Sequence, residues 1–595
     1  MPTVTINGVE CEFEQGERVL DIATRCGVEV PYYCYHPGLS IPAQCRICLA
    51  EMHAPNPRNG DKLEPIAGGK LLPTCTTPAS DGMVVYANNP KAVANQKAVM
   101  EYLLINHPLD CPVCDQAGEC HLQDYSFKYG RGTSRFEETK VKQAKKDLGP
   151  TMYIYSDRCI MCTRCVRFGE EVAGTGELKV MGRGNRSEID VFPGRPLANE
   201  LSGNVADICP VGALLDKDFL FTQRVWFLKN TPSIDGITAS GDNILIEHNQ
   251  GKIYRVKPRE NQAVNKWWIT DEVRYGWKHV HENRLSSAMS KRFGILERCT
   301  WGKAYDDAVE GVRGAVETKG RGLLLVVSPM LPCEEAYGLA TLAKELAAGA
   351  GASVTFAVGY VPFRGEDKAF PAGKSFDDPD AFRMYAEKAP NAGGVRRVLE
   401  SVSDSPVIEH GEAVEKLGAG AFAATIVTGN YPGEWAEQEL LSAMDGTFNV
   451  VLETHDRNVL TKADVVLPGA TWAEKAGTFE NARGMLQAFE AAVPLSEGCR
   501  SEGQIVNDLL STLRGEPSSS AEAFAARAMM VRVDEGHGQV PDAREVETPR
   551  SKLYNAADVR RQMAERSPEL GVFATDVVVP KTETVRKTDM ELVQL

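Results

Sequence analysis

The 595-residue chain contains no run of eighteen apolar residues, so no segment reads as a membrane-spanning helix and no direct membrane insertion is expected. Its longest apolar stretches, such as Leu323–Val327 and Ala421–Val427, have the length of strands. An excess of positive charge is also missing. With 66 basic against 81 acidic residues the net charge is −15, which argues against a nucleic-acid partner, since binding one needs a basic face. No Gly-x-Gly-x-x-Gly follows a strand pattern, so a dinucleotide site in this chain is not expected. Pro371-Ala-Gly-Lys-Ser375 resembles a phosphate loop only in part, because Lys368 stands where that motif needs glycine. The opening Met1-Pro-Thr-Val-Thr-Ile runs directly into a strand pattern, so neither a signal peptide nor a transit peptide is expected. Cysteine all but disappears after residue 209, where only Cys299, Cys333 and Cys499 remain of sixteen.

What is present is therefore concentrated: thirteen cysteines within residues 1–209. In a short secreted chain such density would suggest disulfides, but in a chain this long, with no export signal expected, metal is the better reading. Apolar content of 43% and charged content of 25% are ordinary for a folded protein, and the length calls for three or four domains.

Thr3–Phe13 reads as a hairpin turning on Asn7-Gly8. Val19–Cys26 reads as a short helix closed by Gly27, Gly82–Tyr86 as a returning strand and 90–106 as an amphipathic helix. Lys140–Lys146 looks like a solvated connector. Beyond 220, strand-like runs such as Leu323–Val327 and Ala423–Val427 alternate with helical segments such as Glu334–Ala348, which predicts an α/β domain with a parallel sheet. The end, from about 515, is rich in Ser, Ala, Glu and Arg with weak periodicity and is expected to order only against a partner.

The cysteines form three groups. Cys34, Cys45 and Cys48 stand with ten and two residues between them, and Cys75 follows downstream. Such a quartet suits zinc or an iron–sulfur cluster. The loop between Cys34 and Cys45 contains Pro37, Gly38 and Pro42, so its backbone N–H groups are candidates to wrap a cofactor. The hairpin–helix frame resembles a plant-type [2Fe–2S] ferredoxin. The second group, His107, Cys111, Cys114 and Cys120, has gaps of three, two and five residues. Its three thiolates leave one position that His107 can fill, around a cluster or around structural zinc; His121 is read as non-ligating. The third group, Cys159-x2-Cys162-x2-Cys165 with Cys209-Pro210 downstream, is the bacterial ferredoxin run and implies one [4Fe–4S] cluster. Cys11 and Cys26 fall outside every group and read as small core residues, as do Cys299 and Cys333.

This order of sites resembles that of the large iron–sulfur subunit of respiratory complex I, NADH:quinone oxidoreductase. The likeness is densest in Cys34-Tyr-His-Pro-Gly-Leu, Cys45-Arg-Ile-Cys48, His107–Cys120-His-Leu-Gln-Asp and Cys159-Ile-Met-Cys-Thr-Arg-Cys-Val-Arg167. It implies one [2Fe–2S] cluster on Cys34, Cys45, Cys48 and Cys75, and [4Fe–4S] clusters on His107, Cys111, Cys114 and Cys120 and on Cys159, Cys162, Cys165 and Cys209. It further implies an electron relay from a flavin-bearing, NADH-oxidising subunit to quinone-side iron–sulfur subunits in a proton-translocating assembly. No residue of this chain need act as acid, base or nucleophile. The implied location is the cytoplasmic face of a bacterial inner membrane, peripheral through the complex.

The C-terminal part resembles molybdopterin oxidoreductases, notably in Ala463–Phe479. Those enzymes start with a cysteine quartet, and here Asp235, Thr238, Asp242 and Thr270 keep its spacing without sulfur. No fourth cluster and no molybdopterin are therefore expected. The resulting expectation is a multidomain α+β and α/β chain: 1–80 a ferredoxin-like β-grasp domain, 81–139 and 140–220 two [4Fe–4S] regions, 221–277 a cluster-less remnant, 278–515 a molybdopterin-oxidoreductase-like α/β domain, and 516–595 an extension. A hydrogenase or formate dehydrogenase electron-transfer subunit and a zinc scaffold are the competing readings.

Overall fold

The computed structural model describes residues 1–515 and 551–580. The chain forms two compact units, one of residues 1–228 with 369–382 and the other of the remainder. Among the described residues no helix is long and apolar enough to cross a membrane.

The first unit begins with the expected hairpin, Thr3–Ile6 paired antiparallel with Val9–Glu12. Asn7 at φ 51° and Gly8 at φ 90° both take the left-handed turn that the strand twist favours. Met83–Tyr86 returns parallel to Thr3–Ile6, and the sheet continues through Leu49–Asn56 to Lys62–Pro65. Val4 and Ile6 from the sheet and Val19, Leu20, Ile22 and Ala23 from the helix Val19–Arg25 are buried together. Cys11 shares that core, while Cys26 is only partly buried. The helix Pro90–Leu104 follows, capped by the Asn89 side chain on the Ala92 N–H. Lys145–Asp147 is not a bare connector. It pairs with Met152–Tyr155, and Lys146 bridges Glu188 and Asp190 at 2.8 and 2.6 Å. Met152–Tyr155 also pairs with Leu214–Asp216, which places the chain after Cys209 beside the run that starts at Cys159.

The second unit opens with three antiparallel strands, Lys229–Ile234, Asn243–Asn249 and Lys252–Pro258. Its main sheet has seven strands. Five are parallel, in the order Val465–Pro468, Phe448–Glu453, Phe422–Thr428, Gly322–Val327 and Val354–Val358, and the hairpin Met289–Arg292/Ile295–Arg298 pairs antiparallel at the edge. Parallel strands covered on both faces must be apolar throughout, which is why Leu323–Val327 reads as an unbroken run. Cys333 is buried at the start of the helix Cys333–Gly349 and Cys299 packs at the core margin, as expected of packing residues.

The C-terminal expectation needs correction. Residues 551–580 order against their own unit, because Ser551 donates to Asp508, the Tyr554 N–H donates to Gln504 and Arg560 pairs with Glu334. Met563, Leu570 and Phe573 enter the same core as the parallel sheet. Residues 516–550 and 581–595 of that expected tail lie outside the described residues.

Candidate metal centres

In the first candidate centre four cysteines converge from a long loop and the chain before Met83–Tyr86. The Cys48 and Cys75 sulfurs are 3.6 Å apart, and Cys34 is hydrogen-bonded to Cys45. That bond, with the backbone N–H of Ile47, draws the Cys45 thiol down to about 5, against the opposing effect of burial. Ala43 and Arg46 take left-handed backbone angles, φ 50° and 58°. Such reversals turn N–H groups towards an enclosed anion. Gly38 takes no such part, since its N–H is used by His36 Nδ1 at 3.1 Å.

The third group lines one cavity: Cys159, Cys162, Cys165 and Cys209 face it beside Ile154, Ile189 and Val211. Met161 and Thr163, at φ 53° and 59°, repeat the left-handed device. The Met161 N–H donates to Cys159 Sγ at 3.4 Å, and the backbones of Leu214 and Ala213 hydrogen-bond to Cys209. Burial pushes the Cys159 and Cys162 thiols up to about 12 and about 11. Burial, and then the other three sulfurs, raises Cys165 well above the ordinary range. Thiols in this setting become thiolates only beside a cationic partner such as iron.

The second group is more open. Cys114 and Cys120 are buried and Cys111 is exposed. The backbones of Leu122 and Gln123 hydrogen-bond to the Cys120 sulfur, whose thiol burial pushes to about 12. A Cβ on Gly212 would lie 2.2 Å from Cys114 Sγ, so this glycine lets the chain after Cys209 lie directly against that sulfur. Burial first, then Arg158 and Lys140, lower His107 to about 4, so its imidazole is neutral and competent as a ligand at pH 7. Among the described residues no hydrogen bond joins the His107 ring to the three thiols. Arg158, held by Asp110 at 2.9 Å, is the cation that influences both His107 and Cys114.

The donor chemistry of all three sets, soft sulfur approached by backbone donors, fits iron–sulfur clusters. Among the described residues no three His, Cys, Asp or Glu side chains close on a single ion-sized point.

The four sulfur-free positions in the second unit have other work. The two oxygens of Asp235 accept the N–H groups of Ile237 at 2.8 Å and Thr238 at 3.1 Å, and its own N–H donates to the Asp242 carbonyl at 2.9 Å. Thr270 caps the helix Asp271–Tyr275 through the Val273 N–H. Asp242 is buried, and among the described residues its Oδ2 has no hydrogen-bond partner. Burial raises its carboxyl well above the ordinary range, and Asp235 raises it further.

At the carboxyl ends of the parallel strands, where an open α/β sheet would offer a ligand crevice, charged side chains occupy the space. Lys475 Nζ pairs with Glu335 at 2.7 Å and Glu502 at 2.6 Å, all three buried. Glu453 accepts from the Asn430 backbone, Trp435 and Thr454.

Sequence reasoning missed the polar residues that tie the centres together. Arg164, inside the third cysteine run, and Arg167, two residues after Cys165, donate to the carbonyls of Tyr35 and Cys34 respectively. Partners this distant in sequence leave no local pattern.

Five family models match the chain. Residues 1–90 match a 2Fe-2S iron-sulfur cluster binding domain, 96–135 the NADH-ubiquinone oxidoreductase-G iron-sulfur binding region, and 149–215 the ferredoxin-like domain of NADH-quinone oxidoreductase subunit 3. Residues 228–278 match an NDSU1/NuoG-like 4Fe-4S domain, although no cysteine lies in that span. Residues 373–512 match molybdopterin oxidoreductase. Among similar proteins, the G-type subunit of the NADH-quinone oxidoreductase of Rickettsia conorii is 36% identical over 347 residues, covering 58% of this chain and 49% of that protein. The NADH-ubiquinone oxidoreductase 75 kDa subunit of Reclinomonas americana is 40% identical over 307 residues, 51% and 42% of the two chains. The mitochondrial 78 kDa subunit of Neurospora crassa is 37% identical over 346 residues, 58% and 44%. The alignments thus span about half the length of these relatives. A chain of an NAD+-reducing [NiFe]-hydrogenase aligns over 38% of this chain and 91% of its own at 28% identity, with a TM-score of 0.33.

Proposed function

We propose, for a chain that belongs with the G-type subunits of NADH-quinone oxidoreductase, that it is the peripheral-arm electron relay of a complex I. The observation that carries this reading is the set of twelve donors in the first unit, gathered in three groups whose sulfurs receive backbone N–H groups. Cys34, Cys45, Cys48 and Cys75 hold a [2Fe–2S] cluster. His107, Cys111, Cys114 and Cys120 hold one [4Fe–4S] cluster, and Cys159, Cys162, Cys165 and Cys209 hold the other. When bound, these clusters supply outer-sphere transfer of single electrons.

The protein's part is placement and tuning. Burial shields most of the sulfurs from water, Cys111 being the exposed one, and hydrogen bonds to them stabilise added negative charge. The neutral imidazole of His107 sets the second centre at a higher potential than four thiolates would. Electrons enter from a flavin-bearing, NADH-oxidising subunit and leave to quinone-side iron–sulfur subunits. The chain lies at the cytoplasmic face of a bacterial inner membrane, peripheral through its partners.

The second unit is a scaffold. Asp235, Thr238 and Thr270 are engaged in turns and a cap, and no cysteine stands between 209 and 299, which supports the absence of a fourth cluster. The Glu335–Lys475–Glu502 triad occupies the crevice region of the sheet, which supports the absence of molybdopterin.

Iron and acid-labile sulfide in anaerobically purified protein test the assignment, which expects roughly ten irons per chain. Zinc without acid-labile sulfide would overturn it, and roughly fourteen irons would restore the fourth cluster.

A further inference from the structure

Arg164 and Arg167 are both buried, at 5% and 7% exposure, and among the described residues neither forms an ion pair with a carboxylate. Glu171, a carboxylate whose charge acts on Arg167, is instead hydrogen-bonded by the Ser40 N–H at 2.8 Å. Two buried cations without a carboxylate are costly unless another anion neutralises them. They lie beside two thiolate quartets, and every guanidinium hydrogen bond they make is to a backbone carbonyl or to a threonine hydroxyl.

The pattern of those bonds is specific. Nη2 of Arg167 donates to the carbonyl of Cys34 at 2.5 Å and to the carbonyl of Cys162 at 3.4 Å. One nitrogen therefore touches a candidate ligand residue of the first centre and one of the third. Nη1 of the same group donates to Ser40, in the first loop. Arg164 repeats the arrangement one position from the ligands, donating to Tyr35 at 2.6 Å and to Ile208 at 3.0 Å. Gln44 reaches back, its Nε2 donating to the Met161 carbonyl at 2.9 Å and to Thr163 Oγ1 at 3.1 Å.

We propose that Arg167 is a positioning residue for electron transfer, its guanidinium bridging the first and third centres through the carbonyls of Cys34 and Cys162 and supplying buried positive charge to both. This rests on the cluster assignment given above. With clusters bound, the Cys34 side chain and carbonyl, the two N–H bonds on Nη2, and the Cys162 carbonyl and side chain would join the two centres through bonds. The cation favours the reduced form of each centre, since reduction adds negative charge beside it. Lysine at this position keeps the charge but lacks the planar fork. Glutamine keeps donors and loses the charge.

The test uses the complete chain in its assembled complex, with R167Q and R167K. Iron and acid-labile sulfide come first. A wild-type protein without its expected iron sinks the cluster assignment and not the bridge alone. With iron intact, redox titration followed by electron paramagnetic resonance is expected to show the first and third centres of R167Q at lower potentials, with the His107 centre unmoved. R167K is expected to keep all three potentials and to slow reduction of the third centre relative to the first in freeze-quenched samples. Unchanged potentials in R167Q, or a common shift of all three centres, overturn the tuning role. A wild-type rate in R167K overturns the bridge. If R167Q fails to load its clusters, the R167K rate alone decides.

Discussion

The backbone N–H of His121 donates to the carbonyl of Pro210 at 3.0 Å. His121 follows Cys120 and Pro210 follows Cys209, so one hydrogen bond separates the peptides that carry a candidate ligand of the second centre and one of the third. The contact depends on the chain after Cys209 lying close to Cys114, which Gly212 allows. Gly212→Ala is therefore predicted to displace Cys114 and empty the second centre selectively. Iron should fall from roughly ten to roughly six per chain, with the other two spectroscopic signals retained. A full iron complement in this variant would show that the loop yields.

On the proposed assignment, His107→Cys would exchange a neutral ligand for a thiolate. The second centre's midpoint potential is predicted to drop, on the order of 100 mV by comparison with the effect of imidazole in Rieske centres. Redox titration with magnetic resonance detection reads this directly. An unchanged potential would remove the argument that His107 tunes this step.

Asp242 predicts a dependence of stability on pH. Burial and Asp235 hold its carboxyl above the ordinary range, so the folded chain binds a proton that the unfolded chain has released. That stabilisation is complete below the unfolded value near 4 and declines as pH rises, by up to about 1.4 kcal/mol per pH unit. Asp242→Asn removes this decline, so its melting temperature relative to wild type should rise between pH 5.5 and pH 8. Tryptophan fluorescence is a suitable probe, because Trp226 alone of the seven tryptophans lies in the first unit. A constant difference across that range would contradict the prediction.

Lys475→Met leaves Glu335 and Glu502 buried without their shared cation. The second unit should lose roughly 3–5 kcal/mol, measured by denaturant unfolding, while the iron content of the first unit stays the same. The double substitution of both glutamates to glutamine in the Lys475→Met background should recover part of the loss, since the unpaired charges are then gone.

The sequence made the three candidate donor groups legible because the residues of each group sit mostly in one short loop, where spacing is itself geometry. Leu323–Val327 was legible for a similar reason, since a strand covered on both faces has to be apolar at every position. Lys145–Asp147 was not, because three charged residues at a sheet edge carry no alternating apolar signal. The Arg167–Cys34 contact, 133 residues apart, was beyond any local pattern. Residues 551–580 looked weakly periodic because much of what fixes them lies on their neighbours. The missing side chain of Gly503, for example, leaves the space that the Tyr554 ring fills.

That last segment has a consequence for how the protein is made. Val578 pairs with Gln487 and exchanges backbone hydrogen bonds with Leu486 and Ala488, and Met563 and Phe573 fill the core beneath. During synthesis the second unit must therefore wait, with apolar surface uncovered, until the ribosome has passed residue 578. A nonsense codon anywhere between 515 and 551 would leave every candidate cluster ligand in place and still yield a chain prone to aggregate, so loss of the protein in such a strain would be a failure of closure and not of redox chemistry.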